Sequence, residues 1–334
     1  MTFTYDNVYI NNYGVVGGPY EKKGPLGAKM DKVYKDLYAG EKTWEQAEVR
    51  MQSDSIEVVL RKSKKNKEDI NLLISGDLLN QVSASSYTAY EFNIPFFGIY
   101  SACSTSVEGI ILMSSLIDGG KIKNGIVSVS SHNTASEKQF RNPTEYGAPK
   151  PSTATFTSTG GASVLLSNQK SKIKVASSTI GKVVDMNQTD PLHMGAVMAA
   201  AAGDTIYRHL RDMRRTVNDY DLILTGDLGK YGKEILIDYM KEEYDIVLGK
   251  NYDDSGTMLY DYDTQEEVLA GASGPLCIAM VSYSDILPKI EKGELKFEDY
   301  SYFGNLSQYE KMIVDTLRKE GMSDKDILES LKVM

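Results

Sequence analysis

One cysteine stands where an apolar strand passes into an apolar helix, a position suited to chemistry. Residues 96–116 read FFGIYSACSTSVEGIILMSSL, with Cys103 in the short polar turn. The unpaired N–H groups and the dipole of a helix N-terminus stabilise a thiolate, which is a nucleophile. The same N–H groups bind carboxylates without any catalysis. A third interpretation stays open, because a free cysteine is often a small buried hydrophobic residue.

Acyl transfer by such a thiolate needs a base or proton donor, usually a histidine, and the chain has only three histidines. His132 ends a predicted strand and is the candidate that could lie near Cys103. His193 is expected to order a linker, and His209 to lie on a helix surface. No two histidines have the spacing of helical metal ligands, so we predict no metal site.

Composition limits the classes of partner and compartment. The chain has 334 residues, 41% of them hydrophobic, a formal net charge of −9 and two cysteines. The negative charge argues against nucleic acid as the main partner, and the cysteine count excludes a disulfide framework. The N-terminus MTFTYDNVYINNYG lacks the features of a signal peptide, and no apolar run approaches the roughly 20 residues of a membrane span. We therefore expect a cytoplasmic globular protein.

The two halves of the sequence repeat one order of elements. KEDINLLISGDLLNQ at 67–81 is echoed by VNDYDLILTGDLGKY at 217–231, which sets Asp77 and Asp227 150 positions apart. SACSTSVEGIILMSSLIDGGKIKNG at 101–125 is echoed by GASGPLCIAMVSYSDILPKIEKGEL at 271–295. Strands that alternate with helices in this way indicate parallel α/β layers.

Hydrophobic periodicity predicts the individual elements. The expected strands are 7–17, 71–75, 96–100, 125–130, 161–167, 172–180 and 221–225. The expected helices are 43–64, the helix after Cys103, 197–213 and 232–243, and a turn and a helix are expected within 271–292. Glycine and proline predict an irregular segment at 17–32. The polar segment 131–160 is predicted to be a loop, and loops of that length are often functional. Two further helices are predicted at 308–319 and 324–332, with Ser323 as an N-cap.

These features resemble the thiolase fold, in which two α/β halves are duplicated and a cysteine begins a buried helix of the first half. Within that fold the resemblance is to the stage V sporulation protein AD family, over about residues 5–295. The motifs that carry it are GPYEKKGPLG (18–27), SGDLLNQ (75–81), ACSTSVEGI (102–110), SSHNTASEKQFRNPTEYGAPKPSTAT (130–155) and LILTGDLG (222–229). We accordingly expect an N-terminal half at 1–169, a C-terminal half at 170–295 and a divergent helical tail at 296–334.

The resemblance implies that the protein binds dipicolinic acid, an aromatic dicarboxylate, without catalysis. It implies a role in uptake of this ligand into the developing spore and its release on germination, beside membrane proteins of the same operon. It also implies a homodimer formed near the strand FFGIY, located in the cytoplasm or peripherally at the forespore inner membrane. No cofactor is expected, although a calcium ion that bridges to the ligand stays open. The candidate ligand-binding residues are Asp77, Cys103, Ser104, His132, Asn133 and Arg141.

The alternative function is a Cys103-dependent acyltransferase, similar to the type III ketoacyl synthases and acting on a CoA thioester. In those enzymes a histidine follows the second-half strand that here ends LTGDLG, and Asp227 occupies that region instead. A carboxylate beside a thiol raises the pKa of the thiol and opposes nucleophilic attack. The chain also departs from the family after residue 295, where no pair of strands is predicted. The second sheet is therefore expected to be shorter or to be completed from elsewhere.

Overall fold

The structure, a computed structural model, describes residues 1–140, 150–295 and 308–333. In chain order the strands are β1 (Thr2–Thr4), β2 (Tyr9–Gly17), β3 (Lys32–Val33), β4 (Leu73–Gly76), β5 (Phe96–Gly98), β6 (Asn124–Ser131), β7 (Phe156–Thr157), β8 (Gly160–Ser167), β9 (Ile173–Lys174), β10 (Ser177–Thr179), β11 (Ile223–Thr225), β12 (Tyr252–Asp254) and β13 (Ala272–Ser273). The helices are α1 (Pro19–Lys23), α2 (Trp44–Ser63), α3 (Ser83–Phe92), α4 (Thr105–Asp118), α5 (Asn133–Phe140), α6 (Met194–Met213), α7 (Gly229–Tyr244), α8 (Pro275–Val281), α9 (Leu287–Lys292), α10 (Gln308–Lys319) and α11 (Asp324–Val333).

The first half is built on a seven-stranded mixed sheet. Its strand order is β3-β2-β8-β6-β4-β5, and β9 also pairs with β2. β4 is parallel to both β5 and β6, whereas β8 is antiparallel to β6 and β2. The central strands β6 and β8 are almost completely buried, because α2 covers one face and α4 and α8 cover the other. Strands buried on both faces need the unbroken run of apolar and small residues seen here.

The duplication expected from the sequence is confirmed by elements that recur at a constant offset. Trp44 and Met194 begin α2 and α6, two helices of 20 residues that start 150 positions apart. Each helix is followed by a short 3-10 turn with a reciprocal N-terminal cap, from Asn66 in the first half and Thr216 in the second. β4 and β11 then follow at the same offset.

The second half repeats the long helix α2 as α6 but has fewer strands than the first half in the part of the chain that is described. β11 pairs only with β12, β13 pairs with β7, and β10 pairs with β1. α6 packs on α7, with Ala199, Leu236 and Met240 buried between them, whereas its counterpart α2 lies on the first-half sheet. The departure seen in the sequence thus corresponds to a short second sheet.

Three segments differ from the sequence prediction. The segment 17–32 contains α1, which begins at Pro19, where a fixed φ and a missing N–H suit the first helical turn. The segment 131–160 contains α5 and β7, so the prediction of a loop throughout was wrong; residues 141–149 lie outside the described ranges. The predicted strand 172–180 is divided into β9 and β10, and α3 was not predicted.

The C-terminal helices were predicted correctly. The N–H of Asp326 donates to Ser323 Oγ at 3.3 Å, which is the expected N-cap. Val314 and Ile327 are buried between α10 and α11 and form a cluster separate from the main core. A salt bridge from Lys311 to Asp219 attaches this hairpin to the turn before β11.

The unequal sheets predict unequal stability effects at two equivalent positions. Leu73 in β4 is fully buried, whereas Ile223 in β11 is only partly buried. We expect Leu73→Ala to lower the free energy of unfolding by about 2–5 kcal/mol, and Ile223→Ala by less than half as much. Equilibrium urea denaturation of both variants measures the difference. Equal losses would show that β11 has neighbours comparable to those of β4.

Candidate functional site

The residues around Cys103 lie where the first turn of α4 meets the first turn of α8. Cys103 is in a 3-10 turn (Ala102–Ser104) that directly precedes α4 and contacts α8. Ala102 has φ of 44° and Gly274, which caps α8, has φ of 98°. A positive φ is costly for a residue with a Cβ, so the turn that contains the partly exposed Cys103 is strained at Ala102.

A carboxyl group from the second half faces this cysteine. Asp227 follows β11 with φ of 64° and is fully buried. Neither of its carboxyl oxygens has a hydrogen bond of good geometry, although the thiols of Cys103 and Cys277 lie beside it. Burial raises the pKa of Asp227 to about 8. The carboxyl is therefore mostly protonated at neutral pH, since a buried charge without a partner is strongly disfavoured.

This contact works against a reactive thiolate. Burial raises the pKa of the Cys103 thiol well above its ordinary value, and the charge of the neighbouring Asp227 raises it further. Cys277 is buried, as predicted, and its thiol donates to Ser255 Oγ at 3.7 Å. Burial, and then the charge of Asp227, raise the pKa of the Cys277 thiol as well. Both cysteines are thus neutral thiols at physiological pH.

Asp77 is the first-half counterpart of Asp227, yet its carboxylate accepts hydrogen bonds from the turn that follows it. Its Oδ1 accepts from the N–H of Leu79 and its Oδ2 from the N–H of Ser85, each at 2.8 Å. Burial raises the pKa of Asp77, and these N–H groups oppose the rise. The carboxylate therefore holds the turn after β4 and the start of α3.

In the second half a residue that the sequence analysis missed takes over this capping role. Asp254, at the end of β12, accepts from the N–H of Leu228 at 3.2 Å and, through its other oxygen, from that of Gly229 at 2.9 Å. It also accepts from the Thr225 hydroxyl at 2.8 Å. Because Asp254 satisfies these donors, Asp227 is left to face Cys103. The only signal in the sequence was an aspartate before Ser-Gly at a strand end, which is typical of many turns.

The three histidines all have structural partners. His132 Nε2 donates to the Leu37 carbonyl at 2.8 Å, and its Nδ1 accepts from the N–H of Ala135 at 3.4 Å, so the ring caps α5. Burial lowers the pKa of His132 and keeps it neutral. His193 Nδ1 accepts from the N–H of Ala196 at the start of α6, and His209 bonds Tyr220 and Thr179. With both nitrogens of His132 engaged, that ring offers Cys103 no free base.

The remaining predicted site residues differ in how they are placed. Ser104 is exposed, and its hydroxyl donates to the Ser101 carbonyl at 2.8 Å. The backbone N–H of Asn133 donates to Thr159 Oγ1 at 2.9 Å, whereas its buried amide nitrogen has no hydrogen-bond partner among the described residues. Arg141 lies outside the described residues.

Within residues 1–140, 150–295 and 308–333, no group of three or more His, Cys, Asp or Glu side chains is arranged to hold a metal ion. The helices of those ranges include none that is long and apolar enough to cross a membrane.

A cavity of about 610 Å³ lies between α2 and α3, lined by Glu45, Arg50, Tyr87 and their neighbours. None of the predicted site residues lines this cavity.

The contact between acid and thiol predicts the titration of Cys103. Asp227→Asn removes the charge that raises the thiol pKa, so we expect Cys103 to react with iodoacetamide at a lower pH. Intact mass and peptide mapping across pH 6–10 measure this shift, with Cys103→Ser as the site control. Asp77→Asn is the matched control: we expect an unchanged titration and a stability loss of about 1–3 kcal/mol, because a capping acceptor is lost. An unchanged titration in Asp227→Asn would contradict the assigned contact.

Comparisons with known proteins agree with this architecture. The family model described as Stage V sporulation protein AD (SpoVAD) matches residues 1–297. The Stage V sporulation protein AD of Bacillus subtilis (strain 168) is 46% identical over 296 residues, which cover 88% of this chain and 87% of that protein.

Two solved structures share the fold at low sequence identity. They are the 3-oxoacyl-(acyl carrier protein) synthase III of Xanthomonas oryzae pv. oryzae (TM-score 0.59, 13% identity, covering 88% of this chain and 93% of that chain) and an OleA of Xanthomonas campestris (TM-score 0.60, 14% identity, covering 88% and 92%). The predicted thiolase-like α/β fold is thereby confirmed. Together with the match over residues 1–297, it follows that the chain belongs to the Stage V sporulation protein AD family.

Proposed function

We propose that this protein binds dipicolinic acid at the Cys103 site without catalysing a reaction on it. The observation that carries the proposal is the contact of the buried, mostly protonated Asp227 with the Cys103 thiol. An acyltransferase needs a thiolate and a base at this point, whereas a neutral acid and a neutral thiol supply neither. What they do supply is a site beside Cys103 that carries no negative charge.

The absence of negative charge beside Cys103 matters because dipicolinic acid carries two carboxylates. An ionised Asp227 or Cys103 would repel it, and the structure supports the neutral form of both groups. The N-terminal N–H groups of α4 and the dipole of that 14-residue helix then favour a ligand carboxylate beside Cys103. The amide nitrogen of Asn133, which has no partner in the described part of the chain, is a further donor.

The residue assignments change accordingly. We keep Cys103, Ser104 and Asn133 as the proposed ligand contacts. Asp77 and His132 are assigned to the turns that they hydrogen-bond. The predicted role of Arg141 as a cation for the ligand stays a prediction, as does a calcium ion that bridges to the ligand.

The biological role we propose follows from membership of the family. The protein would support the uptake of dipicolinic acid into the developing spore and its release on germination, working with membrane proteins encoded in the same operon. Its proposed location is the cytoplasm or the periphery of the forespore inner membrane.

Calorimetric titration of the full chain with dipicolinate, with and without calcium, tests the ligand. We expect saturable heat for the unmodified protein and for Cys103→Ser, which keeps a small neutral side chain. Cys103→Asp places a charge against the ligand carboxylate and should weaken binding at least about tenfold, equivalent to ~1.4 kcal/mol.

Two outcomes would reject the proposal. One is the absence of saturable heat under both calcium conditions. The other is a stable mass increase on Cys103 after incubation with acetyl-CoA, absent in Cys103→Ser, because a covalent acyl adduct would favour the acyltransferase.

We also propose a homodimer formed through the outer edge of β5. β5 is the last strand in the sheet order, and its Phe97 is 55% exposed. Tyr100 after the strand and Val107 and Leu112 on α4 are exposed as well. An unpaired strand edge beside an apolar patch is a template for association with a second copy.

Phe97→Lys places a charge in the centre of this edge and should raise the dimer dissociation constant at least about tenfold. Sedimentation velocity over a concentration series measures this constant. Val183→Lys is the matched control, because Val183 is 96% exposed and lies in the segment before α6. The proposed interface is wrong if the unmodified protein is monomeric, or if Phe97→Lys dimerises as tightly as the control.

A further inference from the structure

The motif GPYEKKGPLG at 18–27 places a glutamate in the contact between the two halves of the chain. This motif contains α1, and Glu21 on that helix is fully buried. Oε1 of Glu21 accepts from the N–H of Thr159 at 2.9 Å and also from the Tyr260 hydroxyl. Because Thr159 lies in the first half and Tyr260 in the second, this one carboxyl group connects the two halves.

Further contacts hold α1 against residues 259–265, and we call this contact the α1 seam. The side-chain amide of Gln265 donates to the Tyr20 carbonyl at 3.0 Å. Gly24, which caps α1 at its C-terminus, lies so close to the second half that a Cβ there would clash with the Leu259 carbonyl. This close packing leaves the Glu21 side chain without contact to bulk solvent.

The environment of the Glu21 carboxyl favours the neutral acid. In the described part of the chain, Oε2 of Glu21 has no hydrogen-bond partner of good geometry. Burial raises the pKa of Glu21 to about 7, although the Tyr260 hydroxyl and nearby backbone N–H groups oppose the rise. A buried carboxylate is strongly disfavoured unless its donors compensate fully for the lost hydration, and here they do not.

Tyr260 is the titratable side chain that faces Glu21 from the second half. Burial raises the pKa of Tyr260 well above its ordinary value, and Glu21, Cys277 of α8 and Glu267 raise it further. Burial also raises the pKa of the Cys277 thiol. Tyr260 and Cys277 therefore stay neutral near neutral pH, and of these three neighbouring groups it is Glu21 whose charge changes there.

We propose that ionisation of Glu21 opens the α1 seam, which makes the contact between the two halves dependent on pH. An ionised carboxylate gains hydration when the seam opens, whereas the neutral acid gains much less. Leu259 and Tyr260 share the main buried core with Leu276 and Cys277 of α8, so the seam supports the helix whose first turn meets that of α4. This regulation does not rest on the proposed function.

The pH range of the opening follows from the two states of Glu21. In the open seam the hydrated carboxyl has the ordinary pKa of 4.5, whereas the closed seam raises the pKa to about 7. Because the closed seam prefers the neutral acid, it is most stable below the lower value and loses stability as the pH rises to the higher one. Between pH 6 and pH 8 the equilibrium constant for opening should rise about tenfold.

Amide hydrogen exchange of the full chain, measured by mass spectrometry, tests the opening. The reporter is a peptic peptide that contains residues 259–265, compared at about pH 6 and about pH 8 after correction for the intrinsic exchange rates. We expect the protection of this peptide to fall about tenfold between the two pH values. Glu21→Gln keeps the size of the side chain without its charge, so the change in that variant should be less than about twofold.

Two further variants separate Glu21 from the other buried acids. Glu48→Gln is the matched control, because Glu48 is also fully buried with a raised pKa but accepts from the Ser130 hydroxyl on the first-half sheet. We expect the response of the reporter peptide to persist in that variant. Tyr260→Phe removes a donor that favours ionised Glu21, so the pKa of Glu21 should rise and the response should become larger.

The proposal is overturned if the reporter peptide is equally protected at both pH values in the unmodified protein. It is also overturned if Glu21→Gln keeps the full response or if Glu48→Gln abolishes it, because another acid would then control the opening. If Glu21→Gln does not fold, Tyr260→Phe decides the matter: a response no larger than that of the unmodified protein would rule out Glu21 as the titrating group.

Discussion

The contact between the Asp227 carboxyl and the Cys103 thiol determines what this site can do. A cysteine at the start of a long helix would ordinarily be stabilised as a thiolate by the helix dipole. Here burial and the neighbouring acid raise the thiol pKa, and burial raises the pKa of the acid itself to about 8. The acid makes ionisation of the thiol harder, whereas the thiols beside Asp227 only partly oppose the rise that burial causes in the pKa of the acid. The two groups therefore lack the charge separation that nucleophilic attack by a thiolate needs.

The duplication explains how the Gly-Asp-Leu motif, which contains Asp77 in the first half and Asp227 in the second, acquires two roles. In the first half the Asp77 carboxylate accepts two backbone N–H groups and fixes its own turn. In the second half Asp254, at the end of β12, accepts from the N–H of Gly229, the equivalent of Leu79, and also from that of Leu228. Asp227 then adopts a left-handed φ of 64° and faces the cysteine. A difference of one capping residue therefore converts a structural aspartate into part of the site.

The parts of this structure that depend on local pattern could be predicted from the sequence. The constant offset between halves, the long helix α2 and the N-cap Ser323 all follow from spacing and residue type. What could not be predicted depends on contacts between distant segments. α5 has a weak local signal and is capped by His132, whose ring is held by the carbonyl of Leu37, 95 positions away. Asp254 is likewise an ordinary turn residue in the sequence, and only the pairing of β11 with β12 brings it to Leu228.

The acid beside Cys103 directly follows a strand that has one paired edge in the described part of the chain. Only Gly226 separates the end of β11 from Asp227, so the order of β11 determines how firmly the carboxyl is held against Cys103. In the first half β4 is hydrogen-bonded along both edges, to β5 and to β6. The Asp77 carboxylate that follows it accepts a backbone N–H from its own turn. In the described part of the chain β11 is paired along one edge only, with β12. The backbone that carries Asp227 is therefore held by fewer strand hydrogen bonds than the backbone that carries Asp77.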